Sequence, residues 1–123
     1  MAGPTAEERR ATGPVRVPFV RRCGLERVGL PEVSAFLVNI NLTGAYIAFA
    51  EMPPIGQTLQ CRFRLPDAEH EVTVQGVVAW TNPLQQHPVH SLPPGFGVNF
   101  QDVAEEVRAG IGAAMAAYDA RPR

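Results

Sequence analysis

Over Gln57 to Leu65 apolar and polar residues alternate, without a break from Thr58 on. Leu59, Cys61, Phe63 and Leu65 fall on one side, and Gln60, Arg62 and Arg64 on the other. A period of two belongs to a strand with one face in a core and one in water. The chain must therefore supply further strands to pair with this one. Val33–Val38 and Ala45–Phe49 are two short apolar runs, and Glu71–Thr81 is a longer one in which Val72, Val74, Val78 and Trp80 share a phase. That phase predicts a core position for Trp80, and Gly76 within the row predicts a bulge or a tight bend. Val15–Arg22 and Gly95–Phe100 complete a set of about six strands, with a loop over Cys23–Pro31. Only after them does a helical period appear, in Val107, Ile111, Ala114, Met115 and Tyr118. Asp102 and Glu105 ahead of it have the spacing of a capping box. Strands first and one helix last, with no alternation of the two, predict a small antiparallel barrel covered by a C-terminal helix.

Between the second and third runs stands Asn39-Ile40-Asn41-Leu42-Thr43-Gly44. A plain two-residue hairpin favours Asn-Gly or Asp-Gly at its centre. Here small polar side chains recur at alternate positions and end at a glycine. That spacing can aim amide groups and backbone N–H donors at one point outside the sheet. The alternative is that both asparagines only satisfy the backbone of the turn.

This segment resembles the second signature of the PilZ domains, bacterial receptors for cyclic di-GMP, in which Asp or Asn is followed by Ser two residues on and Gly five on. Asn39 and Gly44 match, and Asn41 stands in the place of the serine. The resemblance extends from about Arg9 to Tyr118: Arg16-Val17-Pro18-Phe19-Val20 is similar to the family's first strand, and Gly95–Phe100 to its last. The family's other signature is an arginine pair spaced RxxxR just before the first strand. Arg16 matches the second arginine, Thr12 stands where the first belongs, and Arg9 and Arg10 lie two or three residues too early. The resemblance implies a six-stranded antiparallel PilZ-like barrel with a C-terminal helix. It also implies a ligand, cyclic di-GMP, held by Arg16, Asn39, Asn41 and Gly44, with Arg9 or Arg10 supplying the missing fork. Arginine suits that ligand because its planar guanidinium bonds O6 and N7 of guanine together and pairs bidentately with phosphate. The reading is of a stand-alone signalling adaptor, not an enzyme, that relays cyclic di-GMP to a protein partner. The alternative is a degenerate module that binds no nucleotide and acts by protein contacts alone, for example in motility or polarity control.

Composition agrees with one folded unit. The chain has 123 residues, 46% of them hydrophobic and 19% charged, which suffices for a core without metal or disulfide. Residues 1–14 read as a flexible polar arm and 15–120 as one domain. A net charge of −1 gives no electrostatic footprint for nucleic acid. All 11 basic residues are arginine, which excludes Schiff-base chemistry by lysine. Cys23 and Cys61 make no framework, and Cys61 reads as a small buried hydrophobe. His87 and His90 share a Pro-rich connection over 82–94 without cysteine or carboxylate neighbours, a poor metal site. No leader-like or membrane-length apolar run is present, so a cytoplasmic chain without a cofactor or membrane insertion is expected.

Overall fold

The structure, a computed structural model, describes residues 17–66, 68–83 and 92–120. The six strands are β1 (Val17–Glu26), β2 (Val33–Ile40), β3 (Gly44–Ala48), β4 (Thr58–Arg64), β5 (Glu71–Asn82) and β6 (Gly95–Gln101), and one helix comes after them, α1 (Glu105–Asp119). Every pairing is antiparallel, and the strands close a barrel in the order β1-β2-β3-β6-β5-β4. Closure removes free sheet edges and lets alternate residues fill the interior. Leu37, Ile47, Leu59, Phe63, Phe96 and Val98 do so, with Phe19 set edge-on to Phe63 at 6.2 Å. The alternation read over Gln57–Leu65 is therefore β4, one wall of this core.

The seam between β1 and β4 is short, only Gly24, Leu25 and Glu26 pairing with Arg62, Cys61 and Gln60. Towards its start β1 leaves β4, and α1 lies against this side, burying Val107 and Ile111. Between Pro18–Arg21 and the small residues Gly110, Ala113, Ala114 and Ala117 a groove of about 500 Å³ remains.

Four local expectations change. β1 continues to Glu26, so Cys23–Glu26 is strand rather than loop, and Cys23 and Leu25 are buried. Gly76 pairs regularly with Leu59 and Phe100; the irregularity of β5 falls at Ala79 instead. There Val78 faces Val98 but Trp80 faces Gly97, so one extra residue on β5 reverses the phase of the rest of the strand. Trp80 accordingly leaves the valine row and turns to the outside of the barrel. Finally, the helix begins at Glu105 behind Ala104, with no side-chain cap. Asp102 is two residues too early to cap it and has a φ of 50°, turning the chain out of β6, a conformation that aspartate tolerates. Glu105 and Glu106 still favour the positive end of the helix.

Candidate functional site

β2 and β3 are joined by Asn41-Leu42-Thr43. Asn41 is 3% exposed, and its side-chain oxygen accepts from the Thr43 N–H at 2.8 Å, the Thr43 hydroxyl at 3.0 Å and the Gly44 N–H at 2.8 Å. Its own N–H donates to the Gly44 carbonyl at 2.9 Å, and Thr43 O accepts from the Phe100 N–H at 2.8 Å. A buried acceptor shared by three donors fixes the turn. The Asn41 oxygen is thus directed into the turn, while Gly44 opens β3 opposite Asn99.

Asn39 is oriented differently because β2 carries an extra residue between Leu37 and Asn39. Leu37 faces Ile47 inside the barrel, whereas Asn39 pairs with Tyr46 on the outside. The Asn39 oxygen accepts the Tyr46 N–H at 3.2 Å. A backbone N–H can only donate, so this bond sets the carboxamide with its NH₂ away from β3. On the other flank Pro18 pairs with Asn39 and Val17 with Ile40, so the first residues of β1 lie beside the turn. Arg16 precedes Val17 in the chain; Arg16, Arg9, Arg10 and Thr12 lie outside the described residues, as do His87 and His90.

The same outer face carries an aromatic cluster. Tyr46 and Trp80 both pair with Gly97, one from β3 and one from β5, and their rings meet over it at 5.3 Å and 32°. Gly97 is required there, since a Cβ would run into the indole Nε1 of Trp80. Tyr46 is 0% exposed although it points out of the barrel. Its hydroxyl donates to Pro93 O at 2.5 Å and accepts from Asn82 Nδ2 at 3.2 Å, and Asn82 is itself buried. Burial pushes the Tyr46 phenol above its usual range, and the Asn82 bond opposes that in part. Sequence reading passed over Tyr46, which sits among Ala45, Ile47 and Ala48 like any strand residue. The glycines on either side of Phe96 were the available signal for a close approach.

The arginines on β1 and β4 are not equivalent. Arg62 is held by Glu32 at 2.6 Å and Glu71 at 3.4 Å. Arg21 and Arg22 lie over the rings of Phe19 and Phe36 at 5.4 and 5.7 Å. The thiols are inside: burial raises Cys23 to about 11 and pushes Cys61 higher still, each staying a protonated hydrophobe. Among the described residues no group of three His, Cys, Asp or Glu could hold a metal, and no helix is long and apolar enough to cross a membrane. The Asn39 amide beside the half-buried Trp80 ring suits non-covalent recognition of a flat ligand.

The family model described as PilZ domain matches residues 6–117. Among solved structures, the Bacillus subtilis inhibitor of motility, MotI/DgrA, superposes with a TM-score of 0.67 at 18% identity, covering 89% of this chain and 52% of that one. This chain thus spans about half the length of that protein, and the likeness is one of fold. No curated protein matches the chain.

Proposed function

Because this chain belongs to the PilZ domain family, we propose that it is a signalling adaptor that binds cyclic di-GMP and passes the bound state to a protein partner. The observation that carries this reading is the pairing of Val17 and Pro18 with Ile40 and Asn39. It ties the arginine-bearing segment from Arg9 to Arg16 to a strand docked beside the Asn39–Gly44 turn. Arg16 supplies a guanidinium fork for guanine or phosphate, with Arg9 or Arg10 serving where Thr12 has none. Asn39 offers its NH₂ from the barrel, and Gly44 with Asn41 keeps the turn in shape. The half-buried Trp80 ring, packed over the buried Tyr46, forms the adjoining apolar wall. The groove between β1 and α1, beside the 71% exposed Val20, provides a surface for the partner. The Bacillus subtilis neighbour is an inhibitor of motility, and a motility component is the partner class carried over from it.

Isothermal titration with cyclic di-GMP at moderate salt tests the reading. Low-micromolar binding is expected, with Arg16→Ala weakening it by roughly one to two decades, the worth of about 1–3 kcal/mol for one bidentate contact. No heat and no thermal shift at high ligand concentration would reject it and leave a scaffold that acts through protein contacts alone.

A further inference from the structure

Tyr46 joins three parts of the molecule that are far apart in sequence. Through its backbone N–H it holds the Asn39 side chain; through its ring it packs on Trp80 of β5; through its hydroxyl it bonds Pro93, just ahead of β6. The adjoining bond of Phe49 N–H to Pro94 O at 3.1 Å pins the same returning segment to the end of β3. We propose that Tyr46 is a coupling residue, through which a change at Asn39 alters the anchorage of Pro93 and Pro94. This rests on the reading that Asn39 faces the ligand, and it adds a route by which occupancy reaches a second surface of the barrel.

The physical basis is the stiffness of the link. A tyrosine ring has two rotatable bonds, and here both are fixed by full burial between Trp80 and the Pro93 carbonyl. A shift of the Tyr46 backbone towards or away from Asn39 therefore cannot be absorbed by side-chain rotation. It is delivered at the hydroxyl, whose two partners, Pro93 O and Asn82 Nδ2, belong to the two ends of the β5–β6 connection. The coupling between two side chains is read in the ligand-free protein by a double-mutant cycle.

The test is amide hydrogen exchange at Phe49 in the ligand-free protein, for Asn39→Ala, Tyr46→Phe and the double variant. Asn39→Ala is expected to speed Phe49 exchange about fivefold, and to change it less than about twofold when Tyr46→Phe is already present, since a coupling of ~1 kcal/mol is worth fivefold. Asn39→Asp, which keeps an oxygen for the Tyr46 N–H, should restore the wild-type rate. Unchanged Phe49 exchange in Asn39→Ala, or the same factor in both backgrounds, would overturn the proposal. The amides of Leu37 and Val98 report whether each variant keeps its barrel. A titration of the same wild-type sample with cyclic di-GMP is independent: its failure removes the ligand reading and leaves the exchange result standing.

Discussion

The inside of the barrel and the outer face around Asn39 obey opposite rules. Inside, regular alternation delivers apolar side chains, and even the two cysteines serve as hydrophobes. Outside, the arrangement depends on breaks in alternation: one extra residue on β2 brings out Asn39, and one on β5 brings out Trp80. A third irregularity, between Pro18 and Arg21 on β1, lies on the neighbouring strand. Bulges re-aim single side chains while the rest of a strand keeps its register. The core therefore supplies stability, and the bulges place polar and aromatic groups on the outer face.

Three measurements would sharpen or break this contrast. The largest effect is expected inside: Phe96→Ala, at a fully buried position, should cost about 4 kcal/mol in urea denaturation. A loss near 1 kcal/mol would mean that the interior is not the main source of stability.

Next comes pH. The thiol of Cys23 is raised from 9.0 to about 11, and that of Cys61 is also raised. Both folded values lie above the unfolded one, so this contribution is intact below pH 9 and is lost as pH rises, because the unfolded chain ionises first. Stability should fall as pH rises above 9, and a Cys23→Ala variant, left with the Cys61 thiol alone, should show a shallower fall. A flat profile would mean that the thiols reach water in the native state.

The smallest effect belongs to the turn. Asn41→Ala leaves three donors without their shared acceptor and should cost about 2 kcal/mol, read by thermal unfolding. If it costs nothing, the turn is held by strand pairing alone.

The barrel was legible because β4 alternates without interruption and the helical period comes last, after every strand. The site was legible only in part. Asn39 and Gly44 could be named from spacing, but that Asn41 faces its own turn depends on a three-way bond within four residues, which spacing cannot reveal. Trp80 was misassigned to the core since its phase with Val74 and Val78 holds in sequence and fails in space, the extra residue at Ala79 being invisible to a periodicity count. Tyr46 left no mark of its own. Arg9, Arg10 and Arg16 lie outside the described residues, so their part in the site rests on sequence alone.

The stacking of Trp80 over Gly97 has a practical consequence. It is the single tryptophan of the chain, and the bulge sets it beside Tyr46 on the outer face rather than among the valines. Its intrinsic fluorescence is therefore an optical reporter of that face and not of the interior. Thiol labelling of Cys23 and Cys61 reports the interior in turn. Emission and labelling monitored together during denaturation would show whether the two regions come apart in one cooperative step or in two.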